Sequence, residues 1–408
     1  MSSSPITIQY DLRPAYYDDF HCLAGGCHWN CCKGWRISFD KKDYLSLKHD
    51  KYSPELGDQM EHCLQRIRKN SPIINHYAEI RLRKDGVCPL QREDGLCELQ
   101  VEKGPQALPL VCKVFPRIGI ASPSNFFERS LSLGCESVVS LLWNLPEGID
   151  YRSDPLPQEE WKISNIPPDS KMMPYFQEVR SLFIDYLQDR RFPLPSRILM
   201  IGLAMQELQS EEDIPRWLEF AKALPESPNI NKLLEIGHSE SILHMFLSNN
   251  LKVLMNISSS DLDALQIQVD LLNLMGIRIS TDGALMKINF EAYIASREKY
   301  NTIFANRDYF MENIMVALFF HLRIPALDSL ENFWKSYVNF CNLYSFYRFI
   351  TIYSCRDGIT NPKEELFRLV VMVSRSLLHN KSQQTKLQDE LFANDSTTLA
   401  HMAVLLSE

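Results

Sequence analysis

Cysteines are concentrated in the first third of this chain. Nine of the eleven cysteines in the 408-residue sequence come before residue 136. Eight of these nine lie in irregular segments rich in glycine, proline and charged residues: Cys22, Cys27, Cys31, Cys32, Cys88, Cys97, Cys112 and Cys135. Cysteine that only fills a core would be spread more evenly, so we expect sulfur to have a chemical role in this region.

The sequence context favours reduced thiols over disulfides. The N-terminal stretch MSSSPITIQYDLRP has neither a basic nor an apolar segment, so no signal peptide is expected. The most apolar stretch, 314–320, is far too short to cross a bilayer. We therefore expect a cytoplasmic protein with no membrane partner. Thiols stay reduced in the cytoplasm, and the chain has eleven cysteines, an odd number. Both facts favour metal or cluster ligation over disulfides.

Charge and motif content exclude several common function classes. The net formal charge is −8 and the chain has no long basic run, so nucleic acid is not an expected partner. The sequence contains no G-x-G-x-x-G, P-loop, G-x-S-x-G or H-E-x-x-H motif. A dinucleotide enzyme, a P-loop NTPase, a serine hydrolase of the elbow type and a zincin protease are therefore not expected.

Hydrophobic periodicity predicts a mainly α fold in two domains. From residue 175 onward apolar residues recur at helical spacing almost throughout. A helix predicted from about 328 to 353 carries nine aromatic residues, which we expect to belong to the core. Prolines interrupt the stretch 144–174 repeatedly. We predict a loop-rich, cysteine-containing cluster-binding domain over 1–143, a Pro-rich linker over 144–174, and an all-helical domain over 175–408.

The ninth early cysteine has a different context. Helical spacing over 54–70 places Met60, Cys63, Leu64 and Ile67 on one face of a predicted helix. We therefore expect Cys63 to lie in the core and not to serve as a ligand.

The eight remaining thiols leave two kinds of metal site open. They could bind two tetrahedral zinc ions, or one four-cysteine iron–sulfur cluster with spare thiols. Structural zinc sites usually use close pairs of ligands, which Cys27 and Cys31 match and Cys88 and Cys97 do not. Iron–sulfur clusters accept scattered ligands more readily, so the spacing favours a cluster over zinc.

The order of the cysteine motifs resembles that of the bacterial flagellin lysine-N-methylase family. The motifs are C-x4-C-x3-CC-x-GW at 22–35, CPLQREDGLC at 88–97, LP-x-VC-x-x-FPR at 108–117 and ERSLSLGC at 128–135. Proteins of this family carry a cysteine-rich module related to small zinc/iron-chelating domains. The resemblance is densest from Tyr10 to Cys135 and continues as a helical half of the expected length.

The resemblance implies transfer of methyl groups from S-adenosylmethionine to lysine side chains on the surface of flagellin. It also implies a 4Fe-4S cluster held by a subset of four among the eight cysteines, with zinc as the alternative metal. Cys27 and Cys31 match the first two cysteines of the radical-methyl-donor pattern C-x3-C-x2-C. The third cysteine of that pattern is missing, because its position is occupied by Gly34. A standard radical mechanism is therefore not what this sequence predicts.

Lysine methylation requires a neutral amine, so the ammonium must lose a proton through desolvation or to a nearby base. Asp18, Asp19, Tyr16 and Tyr17 precede the first cysteine and are candidates for this role on proximity in sequence alone. The alternative is that these four residues only pack against their neighbours or lie on the surface.

Two other function hypotheses stay open: a non-catalytic zinc- or iron-binding scaffold that docks flagellin, and a redox or cluster-carrier protein.

Overall fold

The computed structural model describes residues 9–34, 37–67, 77–122, 126–156, 171–208, 213–235, 239–256, 262–274, 289–378 and 397–407, with Ser210, Gly237 and Phe392. Helices dominate these residues, which confirms the predicted mainly α fold. Trp35 of the first cysteine motif and much of the predicted linker, 157–170, lie outside the described residues.

Short strands form two small sheets within residues 10–155. The strands are β1 Tyr10–Pro14, β2 Ile37–Phe39, β3 Leu64–Arg66, β4 Ala78–Ile80, β5 Arg117–Ala121, β6 Phe126–Leu131 and β7 Tyr151–Pro155. The larger sheet has the order β5-β6-β1-β7, with β1 parallel to β6 and antiparallel to β7. The smaller sheet has the order β2-β4-β3 and is antiparallel. Strands this short carry too little alternation to be predicted from the sequence.

Helices separate these strands and then build the rest of the chain. In the cysteine-rich part they are α1 Lys41–His49, α2 Pro54–Cys63, α3 Glu98–Lys103, α4 Leu110–Val114 and α5 Glu136–Trp143. The helices that follow are α6 Phe176–Gln188, α7 Leu194–Gln206, α8 Ile214–Ala223, α9 Ile230–Leu233, α10 Glu240–Asn256, α11 Leu262–Leu274, α12 Phe290–Ile303, α13 Asp308–His321, α14 Leu330–Tyr353, α15 Pro362–Leu378 and α16 Leu399–Leu405. None of the described helices is long and apolar enough to cross a membrane.

Helix α2 is shorter than the helix predicted over 54–70. Ser53 caps its start by accepting a hydrogen bond from the Leu56 amide, and the helix ends at Cys63. The chain continues as β3 because Leu64 pairs with Ile80 of β4. Backbone pairing therefore outweighs the helical pattern beyond Cys63. The expected burial of Cys63 is confirmed, since only 2% of this residue is exposed.

Buried apolar residues form two clusters. The smaller core lies within 37–108, and the larger core extends from Tyr16 to Leu406, joining β6 and α5 to the helical half. Strand β7 lies inside the predicted linker and pairs with β1 along five residues. The predicted domain boundaries stay a prediction.

Helix α14 is the centre of the larger core. Eight of its nine aromatic side chains are buried, and Trp334 is partly buried and packed against the same core. The prediction that this aromatic helix belongs to the core is confirmed.

Candidate metal centre

Seven of the eight cysteines lie on short loops or directly before a helix, and Cys112 lies within the short helix α4. All eleven cysteines of the chain are in the described residues, and none forms a disulfide. Cys22 and Cys31 are exposed, Cys88 is buried, and the other five of the eight have intermediate exposure. Cys97 and Cys135 are the capping residues at the starts of α3 and α5.

Backbone hydrogen bonds join the first cysteine loop to the second cysteine group. The Cys88 amide donates to the Cys32 carbonyl oxygen at 2.7 Å, and the Gly34 amide donates to the Gly86 carbonyl at 3.0 Å. Lys33 and Val87 form a bridge between these two bonds. The pairing places Cys32 beside Cys88, although the two are far apart in sequence.

Two glycines allow a second close approach. A Cβ atom on Gly25 would lie 2.4 Å from the backbone oxygen of Asp94. Gly95 has a φ of +79° and packs against the backbone of Gly25. Only glycine fits both positions without displacing the backbone. The contact holds the loop that carries Cys22 and Cys27 against the turn before Cys97.

A buried carboxylate organises residues 27–29. Glu136, the first residue of α5, accepts hydrogen bonds from the amides of His28 at 2.7 Å and Trp29 at 3.1 Å. It also accepts from the Cys27 thiol at 3.3 Å and contacts the His28 ring at 2.9 Å. Burial opposes ionisation of Glu136, but these hydrogen bonds outweigh it and lower the pKa of its carboxyl group.

A buried arginine from the helical half reaches the same loop. Arg375 of α15 donates to the Trp29 carbonyl at 2.6 Å and to the Gly134 carbonyl at 2.9 Å. Only 7% of Arg375 is exposed, and its charge acts on Cys31. One side chain of α15 therefore contacts both the cysteine loop and the residues at the start of α5.

The helical part of the chain decides the family. Residues 180–405 match the family model described as FliB lysine N-methylase C-terminal domain, more than half of the 408 residues. The chain belongs to this family. Arg375 lies within the FliB C-terminal domain, so this domain itself supplies a contact to the cysteine loop.

Similar proteins carry related names. The Lysine-N-methylases of Salmonella choleraesuis (strain SC-B67) and Salmonella typhimurium (strain LT2) are each 32% identical over 169 residues. The match spans 40% of this chain and 40% of the length of each of these two methylases. The Flagellar biosynthetic protein FliU of Salmonella muenchen is 35% identical over 141 residues, 34% of this chain and 79% of that protein. No solved structure matches the chain.

The thiols of this FliB-family protein differ in how their surroundings shift their pKa. Burial raises the pKa of Cys88 to about 12 and that of Cys135 to about 11. Burial and the neighbouring Glu136 carboxylate both raise the pKa of Cys27. A hydrogen bond from Cys32, supported by the charge of Arg375, lowers the pKa of Cys31. Metals bind thiolates, so ligation by the buried thiols must release their protons.

The thiols fit a metal centre by donor chemistry. Cys31 is the electrostatic neighbour of Cys27, Cys97, Cys112 and Cys135, so one residue connects thiols from all the cysteine motifs. Within the described ranges, no three His, Cys, Asp or Glu side chains are already arranged to hold a metal ion. Thiolates are the donors that zinc and iron–sulfur clusters prefer.

The structure separates the four catalytic candidates. Tyr17 and Asp18 line a cavity of about 310 Å³ beside β1 and β7, whose lining also includes Asp11, Arg13, Arg129, Asp154, Pro155 and Leu156. Tyr16 is buried in the larger core and Asp19 is exposed, and neither lines this cavity. The catalytic role of the four residues stays a prediction.

Ion pairs dominate the cavity beside β1. Hydrogen bonds from Arg13, with further support from Arg152, lower the pKa of Asp18. A carboxylate held in this way is a weaker base than a free one. Burial raises the pKa of Tyr16, which keeps its phenol protonated.

Sequence reasoning missed Glu136 and Arg375. Glu136 directly follows Cys135, and that adjacency is a signal that could have directed attention to it. Arg375 lies 240 positions beyond Cys135 within a helical pattern, where nothing distinguishes it from a surface arginine.

Proposed function

We propose that this protein transfers methyl groups from S-adenosylmethionine to lysine side chains of flagellin. The proposal depends chiefly on the match to the FliB lysine N-methylase C-terminal domain over 180–405. The relatives named Lysine-N-methylase support the reaction class. The order of the cysteine motifs and the flagellar name of the third relative support flagellin as the substrate.

We further propose that cysteines of the N-terminal part hold an iron–sulfur cluster of the 4Fe-4S type, with zinc as the alternative. Such a cluster, when bound, supplies iron that can bind the amino and carboxylate groups of the methyl donor where no protein ligand occupies it. Glu136 and Arg375 would fix the cysteine loop, because each anchors backbone atoms of residues 28–29. The positive charge of Arg375 offsets part of the negative charge of bound thiolates.

The target lysine has to reach the methyl group as a neutral amine. The ion pairs of Asp18 favour a role in orienting an ammonium over a role as its base. Deprotonation would then depend mainly on removal of the lysine from water, which disfavours its charged form. An Asp18→Asn/Asp19→Asn variant should therefore keep most of its methylation rate, measured at saturating lysine substrate.

The activity is tested with the full chain purified without oxygen. The protein is incubated with purified flagellin and S-adenosylmethionine that carries an isotopically labelled methyl group, and tryptic peptides are examined by mass spectrometry. Labelled methyl groups on flagellin lysines are the expected result. Binding of flagellin without any labelled lysine would overturn the proposal and leave the scaffold hypothesis.

A further inference from the structure

Strand β5 forms one edge of the larger sheet, and one side of its backbone has no strand beside it in the described part of the chain. The Ser122 amide donates to the Phe126 carbonyl at 2.7 Å, and the Ser132 amide donates to the Pro116 carbonyl at 2.9 Å. In the antiparallel register of β5 and β6, these bonds assign the backbone groups of the even-numbered β5 residues to β6. The backbone groups of the odd-numbered residues therefore point to the open side: Arg117, Gly119 and Ala121.

Strand β7, the opposite edge of the same sheet, is closed by proline. The Leu156 amide donates to the Gln9 carbonyl at 2.9 Å, so the even-numbered residues of β7 bond to β1 and the odd-numbered residues point outward. Pro155 is one of the outward residues and has no N–H to offer to another strand. Proteins use proline in this way to block further pairing at a sheet edge. Residues 117–121 contain no proline, so β5 is the edge that can accept another strand.

Apolar side chains are exposed directly before this open edge. Helix α4 has only five residues, and three of them are exposed apolar residues: Leu110 at 57%, Val111 at 40% and Val114 at 41%. Ile120 of β5 adds a fourth, which is 39% exposed. Single exposed apolar side chains are ordinary, whereas several close together mark an interaction surface. We call residues 110–121 the docking segment.

The docking segment adjoins the thiols. Cys112 lies within it, on α4, and packs against the smaller core. Ser132, whose amide binds the Pro116 carbonyl, is three residues before Cys135, and three residues span at most about 11 Å. A chain bound along the docking segment would therefore pass close to Cys112 and Cys135.

We propose that the docking segment binds an extended segment of the lysine-bearing protein substrate, which adds to β5 as a fifth strand of the larger sheet. This inference rests on the proposed function, in which a lysine of another protein must reach the cysteine-rich part of the chain. The open side of β5 offers N–H and C=O groups in alternation, and the partner that matches their spacing is another extended backbone. The exposed side chains of α4 favour apolar residues in the bound segment.

This mode of binding also bears on which lysines the protein accepts. Main-chain hydrogen bonds depend little on sequence, whereas side-chain contacts provide specificity. Lysines in different sequence contexts can therefore share the site, provided that the chain around each one can extend and carries apolar residues nearby.

The test measures hydrogen–deuterium exchange in the full chain with and without purified flagellin, in the absence of the methyl donor. The outward amides of β5 should exchange quickly in the free protein, because no described strand protects them. We expect flagellin to slow exchange in 117–121 and to leave 151–155, the closed edge, unchanged. Wild type that does not bind flagellin, or that binds it without slower exchange in 117–121, would overturn the proposal.

A pair of proline variants tests the open edge through the dissociation constant of labelled flagellin. Ala121→Pro removes an outward N–H without removing a bond to β6, and Ser153→Pro makes the same change at an outward, exposed position of β7. Gly119 is left unchanged, because a Cβ there would lie 2.5 Å from the Phe127 ring. Ala121→Pro should raise the dissociation constant at least about fivefold, and Ser153→Pro should leave it unchanged. Equal constants for the two variants would overturn the proposal.

A pair of glutamine variants tests the apolar part of the docking segment. Val114→Gln on α4 is matched by Val101→Gln on α3, where another valine is exposed. We expect Val114→Gln alone to raise the dissociation constant, by at least about twofold. Equal effects of the two variants would overturn the assignment of α4 to the docking surface.

The remaining outcomes distinguish this inference from its alternatives. Light scattering detects pairing between two copies of the chain: a wild-type dimer that Ala121→Pro converts to a monomer, with flagellin binding unchanged, would overturn the proposal. Circular dichroism identifies a variant that fails to fold, and exchange in the wild type then decides alone. Protection of β5 in a protein that methylates no flagellin lysine would overturn only the proposed function. Methylation with β5 unprotected would overturn only this inference.

Discussion

Glu136 holds the cysteine loop through the backbone of residues 28 and 29. Its carboxylate accepts the amide hydrogens of His28 and Trp29 in a site where 7% of Glu136 is exposed. Glu136→Ala leaves those donors unpaired, at a cost of about 1–3 kcal/mol in the free energy of unfolding. Glu136→Gln can keep its oxygen on the two amides and place its amide group toward the His28 ring, so we expect a smaller loss. Chemical denaturation of both variants checks the order.

The ion pair between Glu136 and His28 also predicts a dependence of stability on pH. The pKa of Glu136 is lowered from 4.5, so its contribution is present above that pH and is lost as the pH falls through the folded-state pKa. The hydrogen bond to Glu136 raises the pKa of His28 from 6.5, so its contribution is present below that pH and is lost as the pH rises through the folded-state pKa.

The pair should therefore contribute most between pH 4.5 and 6.5. The difference in unfolding free energy between wild type and Glu136→Gln, measured from below pH 4.5 to above pH 6.5, should be largest between these two values. A difference that does not vary with pH would contradict this prediction.

Arg375 should matter more than Arg368, the other arginine of α15. Arg375→Met removes charged donors from the Trp29 and Gly134 carbonyls, which should lower the free energy of unfolding by at least about 1.5–3 kcal/mol. The same substitution at Arg368 should cost less than Arg375→Met, because Glu365, which pairs with Arg368, keeps its hydrogen bond from Arg356.

Metal content separates a positioning role of Arg375 from a merely structural one. We expect Arg375→Met to bind metal more weakly than Arg368→Met when both are compared at a temperature where both are folded. Equal metal affinity of the two variants would mean that Arg375 does not position the cysteine loop.

At this scale the sequence selected the candidate thiols, whose role stays a prediction, but not the residues that hold their loop. The eight cysteines could be selected because glycine, proline and turn residues surround them, whereas Cys63 follows a helical pattern and is buried as expected. Arg375 could not be predicted, because its role comes from a tertiary contact between residues far apart in sequence.

Among the elements, the glycine contact between the loops at 25 and 95 should be sensitive to a single methyl group. Gly25→Ala places a Cβ 2.4 Å from a backbone oxygen, so the two loops must separate. Gly26→Ala is the matched control, because no atom lies within 4 Å of its added Cβ. We expect Gly25→Ala, and not Gly26→Ala, to lower the metal content of reconstituted protein. Equal metal content would show that the contact is not needed to assemble the thiols.

The predictability of the elements follows their length. Helix α14 was predictable because its aromatic residues recur over 24 positions, enough to define one buried pattern. Strands β2, β3 and β4 have three residues each, and their pairing is decided by partners elsewhere in the chain. The same pairing ends α2 at Cys63, which local propensity alone did not predict.

On the scale of the whole molecule, the larger core contains residues from both sides of the predicted linker. It includes Tyr16, Leu131 and Val139 from the cysteine-rich part together with the helices of the FliB C-terminal domain. The cysteine loop is therefore held by both halves of the chain, through Glu136 on one side and Arg375 on the other. Changes that unfold or distort the helical half should therefore also impair any chemistry at the thiols.

The central claim is that methyl transfer to lysine depends on the cysteine loop. Its most direct test measures labelled methyl groups on flagellin lysines for metal-reconstituted wild type, for Cys27→Ser/Cys135→Ser, and for Cys341→Ala, a buried control in α14. We predict labelled lysines with the wild type and with Cys341→Ala, and loss of labelling with the double variant while its helical content is retained. Two results would contradict this claim. One is a metal-loaded wild type that leaves every flagellin lysine unlabelled, and the other is a double variant as active as wild type.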